Sequence, residues 1–165
     1  YQDNVGLPAQ LVPRRQNIGT LETVGAELDL TWRMSESCML KWSAGYTDAE
    51  VSDSDFTVNG ISLEGTTPVN TPELATSLML NFSQPIGQDL MLDVLVSGQW
   101  QDERYLEPEN ADDHLVDAYS TIDASFSLMA ADEKWSVSLW GKNITDEEYV
   151  VYVCLLYTSD AADES

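Results

Sequence analysis

Basic residues are scarce in this sequence. It contains 7 Lys and Arg against 29 Asp and Glu in 165 residues, for a formal net charge of −22. Such a chain repels the phosphates of nucleic acids, so we expect no nucleic-acid partner. Strong acidity can also indicate disorder, but a hydrophobic content of 43% in regular alternation argues against it.

Residues that carry catalysis or bind metals are also few. Cys38 is the only cysteine before residue 154, so neither an intrachain disulfide nor a metal cluster is expected, and we interpret it as a small buried or lipid-facing residue. His114 is the only histidine and has no neighbouring Ser or Cys nucleophile, so we expect an exposed loop residue. With no glycine-rich phosphate loop and no zinc pattern, we predict no enzyme activity, catalytic residue, metal or cofactor.

The sequence also lacks a leader and any long apolar run. It begins at Tyr1 without a basic and then apolar leader, and no stretch of 18 apolar residues predicts a membrane-spanning helix. Residues 154–164, CLLYTSDAADE, resemble the conceptual translation of a transposase adaptor used to build sequencing libraries. We therefore expect a non-native tail at 154–165, natural sequence ending near Val153, and an internal fragment of a longer protein.

Alternation of apolar and polar residues with a period of two dominates the remaining chain, and it indicates β-strands with two different environments. Residues 1–20 show no such period and are predicted as a loop or the end of a preceding strand. Connections between the later strands alternate between short and long. The predicted strands are 21–33, 40–47, 74–83, 90–101, 121–128 and a last one from residue 135.

This pattern predicts an all-β fold: an antiparallel, up-and-down transmembrane β-barrel segment of about six to seven strands over residues 21–153. Transmembrane barrels have tight turns at one edge and long loops at the other, with strands of about 10 residues. Trp32, Trp100 and Trp135 lie near strand ends, where interfacial aromatic residues are expected. A soluble β-sandwich also alternates and is the alternative fold.

The two faces of the predicted strands give two sets of candidate residues. The first set is apolar and is expected to face lipid: Val24, Ala26, Leu28, Leu30, Trp32, Leu92, Val94, Val96, Ile122, Phe126, Val137 and Leu139. The second set is polar, needs water behind it, and is expected to face the lumen: Glu27, Asp29, Arg33, Lys41, Asp93, Gln99, Asp123 and Lys142.

Carboxylates allow two other interpretations. The acidic groups of the long connections, 48–72 and 102–117, could bind Ca²⁺ or a cationic ligand, although their spacing matches no calcium motif and such runs are usually solvated. Asp29, Asp93 and Asp123 are of the type that pairs in glycoside hydrolysis, whereas in a barrel they point into a wet lumen.

Several segments resemble the TonB-dependent outer-membrane receptors. Residues 135–150, WSVSLWGKNITDEEYV, are similar to the penultimate strand of these receptors and the turn after it. Residues 24–33 resemble their G-V-E-L-D-L-x-W-R strand, with Ala26 for the usual Val. Residues 45–50, 70–73 and 117–119 are similar to their G-Y-T-D-A-E, N-T-P-E and D-A-Y phrases, in the same order.

This resemblance implies a barrel of about 22 strands with a plugged lumen, of which the chain supplies the strands before the last one. The implied partners are the lipid bilayer of a Gram-negative outer membrane, an extracellular small ligand, and the TonB energy-coupling protein through an N-terminal part outside this sequence. The ligand would be an iron–siderophore complex, a cobalamin or an oligosaccharide. A porin or adhesin barrel and a soluble carbohydrate-binding sandwich are the alternatives. Because six strands leave unpaired edges, we expect the segment not to fold stably alone.

Overall fold

The structure is a computed structural model that describes the backbone of residues 2–7 and 10–151 and the side chains of residues 17–151. The tail predicted to be adaptor-derived, 154–165, lies outside the described residues. The strands are β1 (Gln2–Leu7), β2 (Gln10–Asn17), β3 (Thr20–Arg33), β4 (Cys38–Ser52), β5 (Thr57–Val58), β6 (Ile61–Ser62), β7 (Leu74–Ile86), β8 (Leu90–Gln101), β9 (Arg104–Tyr105), β10 (Leu115–Val116), β11 (Tyr119–Ala130) and β12 (Ser136–Gly141), with one 3₁₀ turn at Asp112–His114.

Six long strands form the main sheet, in the order β12-β11-β8-β7-β4-β3. Each strand pairs antiparallel with the long strand that precedes or follows it in the chain. Such a meander needs no crossover, so all connections lie at the two edges where strands end. The predicted all-β, antiparallel, up-and-down sheet is confirmed.

Tight turns join the strands at one edge of the sheet, which we call the turn edge. After β3 the amides of Met34 and Ser35 donate to the carbonyl oxygen of Cys38 at 3.0 and 3.2 Å. After β11 the Lys134 ammonium lies 2.8 Å from Asp132, and this contact holds the pKa of the Asp132 carboxyl below its ordinary value. Both turns close within a few residues, as the sequence predicts.

The opposite edge, the loop edge, carries the first long loop (53–73) and the second long loop (102–118). The sequence predicts the first loop from residue 48, whereas β4 continues to Ser52 and pairs with the start of β3. Ala49 and Val51 are buried there, which explains why the strand persists into the polar segment. The loops themselves contain the small hairpins β5–β6 and β9–β10.

A separate hairpin, β1–β2, precedes the main sheet at the loop edge. The sequence predicts a loop or a strand end for residues 1–20, and the loop prediction is wrong over these strands. A hairpin outside the main sheet does not need one continuous apolar face, so its pairing leaves no alternation in the sequence. Pro13 is tolerated because a two-stranded ribbon has an unpaired edge on each side.

The buried apolar side chains lie mainly under the long loops. Among the described side chains, Ile18, Ala49, Val51, Leu63 and Val116 are buried at the loop edge and Ala130 at the turn edge. The middle of the main sheet has no second layer on either face within the described residues. In those residues, no helix has the length and apolar character needed to cross a membrane.

A close approach of β3 to β4 makes Gly25 sensitive to substitution. A Cβ at Gly25 would lie 2.6 Å from the carbonyl oxygen of Tyr46, which is backbone and cannot rotate away. We expect Gly25→Ala to destabilise the folded protein by about 1–3 kcal/mol, measured by urea unfolding of the complete protein. Gly45→Ala is the matched control, because a Cβ there meets nothing within 4 Å. Equal midpoints for the two variants would contradict this account.

Candidate functional site

The strand register divides the main sheet into an apolar face and a polar face. Residues paired directly across strands share a face, so pairs such as Leu30 with Trp42 and Phe126 with Leu139 link the apolar positions from β3 to β12. All twelve residues predicted to face lipid lie on this one face: Val24, Ala26, Leu28, Leu30, Trp32, Leu92, Val94, Val96, Ile122, Phe126, Val137 and Leu139.

The apolar face is exposed over its full width. Val24 on β3 is 74% exposed and Leu139 on β12 is 76% exposed, with Leu78 between them at 47%. Soluble monomers rarely expose a continuous apolar surface of this extent, so the face needs an apolar environment outside the chain. Trp32 and Trp135 lie toward its turn edge and Trp100 toward its loop edge.

Two polar groups within the apolar face, the Trp42 indole and the Thr76 hydroxyl, are paired with each other. The indole Nε1 of Trp42 donates to the Thr76 hydroxyl at 2.8 Å, and that hydroxyl donates to the Ser43 carbonyl oxygen at 2.9 Å. Cys38 is half-buried on the same face, opposite Phe82. Unpaired polar groups are costly in an apolar environment, and these two hydrogen bonds reduce that cost.

The polar face carries seven of the eight residues predicted to face the lumen. Two rows of directly paired residues cross it near the loop edge: Glu27, Gly45, Ala75, Gln101 and Tyr119, then Asp29, Ser43, Ser77, Gln99 and Thr121. The remaining predicted residues lie nearer the turn edge: Arg33, Lys41, Asp93 and Asp123. Lys142 follows the end of β12 and lines a shallow pocket beside Asp123 and Trp140.

An open depression of 420 Å³ lies on the polar face between Glu27 and Tyr119. Gly45, Ala75 and the two serines of the rows form its floor, since small side chains leave space above the strands. The Ser43 hydroxyl donates to Asp29 at 2.6 Å, and the Gln99 amide donates to the Thr121 hydroxyl at 2.9 Å. The depression therefore presents carboxylate, amide and hydroxyl groups in fixed positions. It can form hydrogen bonds with a solvated partner.

Asp123 fixes the segment that follows β12, residues 142–151, which we call the exit segment. The Asn143 amide donates to Asp123 Oδ1 at 2.8 Å, and the Ile144 amide donates to the Ile122 carbonyl oxygen at 2.8 Å. The Asn143 side chain closes the turn, because its oxygen accepts the Glu147 amide at 3.1 Å and its nitrogen donates to the Glu147 carbonyl oxygen at 2.9 Å. The W-G-K-N-I-T-D-E-E phrase is thus the end of a strand and a compact turn. Asp123 therefore has a structural partner in this turn.

The long loops and the start of β3 pack into a loop cap around a small apolar core. Leu63 has no exposed surface, and Val51 and Ile18 are each 2% exposed. The Val51 amide donates to the Thr66 carbonyl oxygen at 2.9 Å, and its carbonyl oxygen accepts the Gly65 amide at 2.9 Å. The Ser54 hydroxyl donates to the Ile18 carbonyl oxygen. The first long loop is therefore folded against the projecting end of β4.

Direct hydrogen bonds join the two long loops. The Thr67 amide donates to Asn110 Oδ1 at 2.6 Å, and Asn110 Nδ2 donates back to the Thr67 carbonyl oxygen at 2.9 Å. Asn59 Nδ2 donates to Glu109 at 3.0 Å, and the Asn70 amide donates to the Tyr105 carbonyl oxygen at 2.9 Å. The two acidic segments thus form one layer above the sheet, although the sequence predicts two separate polar loops.

Two side chains of the acidic loops, His114 and Glu109, are more buried than the sequence predicts. His114 was expected to be exposed, but its side chain is only 14% exposed, because the β9–β10 hairpin turns it inward and the Leu106 amide binds its carbonyl oxygen at 3.0 Å. Glu109 is buried at 8% exposure through its contact with the first loop. Within the part of the chain that the structure describes, no three His, Cys, Asp or Glu side chains gather as metal ligands.

Sequence reasoning missed Arg104 as a residue of the cap. It is 8% exposed, and it contacts Asn70, Val150 and the ring of Tyr119. A signal was present, since Arg104 is the only Lys or Arg between Lys41 and Lys134. A single cation among many carboxylates is a candidate for a fixed structural contact.

An antiparallel meander with an exposed apolar face, a polar face, tight turns and long loops is the wall of an outer-membrane β-barrel. Residues 1–144 match the family described as "TonB dependent receptor-like, beta-barrel". The chain belongs to this family, whose members are transport receptors of the Gram-negative outer membrane. No curated protein sequence is a significant match to the chain.

Three solved structures share the fold at low sequence identity. The ferric yersiniabactin uptake receptor FyuA from Yersinia pestis has a TM-score of 0.76 and 18% identity, over 88% of this chain and 22% of its own. The ferric preacinetobactin receptor BauA from Acinetobacter baumannii has a TM-score of 0.65 and 20% identity, over 90% and 22%. The siderophore receptor PiuA from Acinetobacter baumannii has a TM-score of 0.63 and 21% identity, over 82% and 19%. The chain thus spans about a fifth of the length of these structures.

The hydrogen bonds of Asn110 predict how firmly the two loops are joined. Asn110 has a positive φ of 52°, so Asn110→Gly keeps the backbone conformation while it removes the two side-chain bonds to Thr67 and a longer one, 3.4 Å, to the Glu107 carbonyl oxygen. We expect this change to lower the free energy of opening the loops by about 1–3 kcal/mol, because the Thr67 amide and carbonyl lose their partners. Proteolysis of the long loops in the intact protein should be correspondingly faster. Cleavage at the wild-type rate would show that Asn110 does not hold the cap together.

Proposed function

We propose that this chain is the barrel-wall segment of a TonB-dependent receptor that takes up a small extracellular ligand, with an iron–siderophore complex as the leading candidate. The family match over residues 1–144 carries the proposal. The ligand class is supported by the three structures that share the fold, each of which is named as a siderophore receptor or a receptor for a ferric siderophore. A cobalamin or an oligosaccharide is the alternative ligand within the same function.

The proposed mechanism is binding followed by gating, with no bond broken or formed. The ligand binds the loop cap and the upper lumen wall, and energy delivered through TonB then displaces the plug. Both the plug and the TonB contact belong to parts of the receptor outside residues 1–165. This segment contributes the wall, the first and second long loops, and the depression between Glu27 and Tyr119.

The apolar face is assigned to lipid and the polar face to the lumen. From Val24 to Trp32 the apolar positions of β3 extend about 26 Å along the strand. With the usual tilt of barrel strands this length covers about 20 Å of membrane thickness, close to the apolar band of about 25 Å in outer-membrane barrels. The acidic loops then lie in water beyond the bilayer, where their charges are solvated.

Two neighbouring positions on β7 test this assignment. Leu78 lies on the apolar face and Ser77 on the polar face, and both are exposed. We expect Leu78→Arg to lower the stability of the membrane-inserted receptor by about 2–4 kcal/mol, because a charge near the bilayer centre is costly, and Ser77→Arg to change it much less. Urea unfolding in lipid vesicles measures both variants. If Ser77→Arg were the more destabilising of the two changes, the assignment of the faces to lipid and lumen would be reversed.

Transport by the complete receptor tests the function itself. We expect ligand-dependent growth under iron limitation to require both the receptor gene and TonB. We also expect the purified receptor in liposomes to pass no small sugars, since a plugged lumen is closed. Sugar permeation without TonB would support the alternative, an open porin, and would contradict the proposal that the protein is a receptor with a plugged lumen.

The choice of ligand needs its own measurement. Tryptophan fluorescence titration of the purified receptor with ferric siderophores, cobalamin and oligosaccharides separates the ligand classes. Saturable binding of a ferric siderophore, with no response to the other two classes, is the expected result. Binding of only a cobalamin or an oligosaccharide would contradict the proposed ligand but remain consistent with the proposed receptor function.

A further inference from the structure

Arg104 occupies an unusual position for a cation. It lies near the start of the second long loop, three residues after the end of β8, and is 8% exposed. The two long loops contain no other Lys or Arg, so Arg104 is buried in the most acidic part of the chain. A buried guanidinium is stable only where several acceptors surround it.

The Arg104 side chain reaches three segments that are distant in sequence. Its Nε donates to Asn70 Oδ1 at 3.3 Å, at the end of the first long loop. Its Nη2 donates to the carbonyl oxygen of Val150 at 3.2 Å, in the exit segment. Its guanidinium carbon lies 5.5 Å from the ring centre of Tyr119, the first residue of β11. One side chain therefore bridges both loops, the exit segment and the sheet.

A second contact reinforces the bridge at the exit segment. The ring of Tyr149 stacks on the ring of Tyr119 with centres 4.0 Å apart and an interplanar angle of 8°. Tyr119 is thus in contact with Arg104 and with Tyr149, one residue before the carbonyl that Arg104 binds. The exit segment is fixed at two adjacent residues, and both contacts converge on Tyr119.

The contacts suit an arginine: Nε and Nη2 each bind an acceptor, and Nη1 is buried without a hydrogen-bond partner among the described residues. Guanidinium presents five N–H donors in a rigid plane, so one group can bind acceptors in two directions while a ring lies against it. Lysine carries one compact ammonium group on a flexible stem and cannot hold the same set of partners at once. Asn70 is itself held against the second long loop, because its backbone amide donates to the Tyr105 carbonyl oxygen at 2.9 Å.

We propose that Arg104 is a positioning residue that joins the first long loop, the second long loop and the exit segment into one body. A displacement of the first loop at Asn70 is then passed through the guanidinium to Val150. The loop cap moves as a unit with the chain that leaves β12. This coupling depends on the described contacts and not on the identity of the transported ligand.

Hydrogen exchange in the complete, membrane-inserted protein tests the coupling. The variants are Asn70→Gly, which allows the positive φ and removes the side chain whose oxygen Arg104 binds, and Arg104→Met, which keeps an aliphatic stem and removes the donors. We expect both to raise amide exchange at least about tenfold in residues 67–73 and also in residues 147–151. Strand β8 should exchange at the wild-type rate in both variants.

Asn59→Gly is the matched control. Asn59 has a positive φ of 51° and binds Glu109, so this change breaks a contact between the loops without touching Arg104. We expect it to leave exchange in residues 147–151 unchanged. If Asn70→Gly also leaves that segment unchanged, or if Asn59→Gly raises exchange there equally, the proposed role of Arg104 is wrong. Should Arg104→Met prevent folding, the comparison of the two asparagine variants still decides the question.

Discussion

The backbone hydrogen-bond ladder of the six-stranded sheet is the constraint on which the rest of this structure depends. In hydrocarbon an unpaired peptide group is too costly to leave open, so a chain that crosses the bilayer with strands must pair each strand along its length. The antiparallel meander satisfies this requirement between neighbours in sequence. Pairing also fixes the register, and the register alone assigns every side chain of the long strands to one face or the other.

That rule explains why so much of the sheet could be predicted from the sequence. Alternation from Val24 to Trp32 has a single explanation in a two-faced strand, and a slip of one residue would place Glu27 and Asp29 on the apolar face. The side chains of the other long strands are divided between the two faces for the same reason. Short connections such as 34–37 carry too few residues for any link other than a hairpin turn.

The loop cap could not be predicted in the same way, because its contacts are between residues far apart in sequence. Asn110 and Thr67 are 43 residues apart, and Arg104 and Val150 are 46 apart. No period marks such pairs, and each depends on a side chain whose direction is set by the turn that carries it. Residues 48–52 show the same limit, since Val51 is buried and its backbone binds Thr66 and Gly65 of the first long loop.

The length of the first two long strands has a mechanical consequence. β3 and β4 remain paired from Thr20 with Ser52 to Val24 with Asp48, beyond the last pair that β4 makes with β7, Tyr46 with Leu74. From Tyr46 to Ser52 this two-stranded ribbon projects about 20 Å past the last β4–β7 pair and supports the cap. Inserting two residues in each strand would raise the cap by about 7 Å and keep every side chain on its face, whereas inserting one would exchange inside and outside. The distance between the loop cap and the main sheet is therefore adjustable only in steps of two residues.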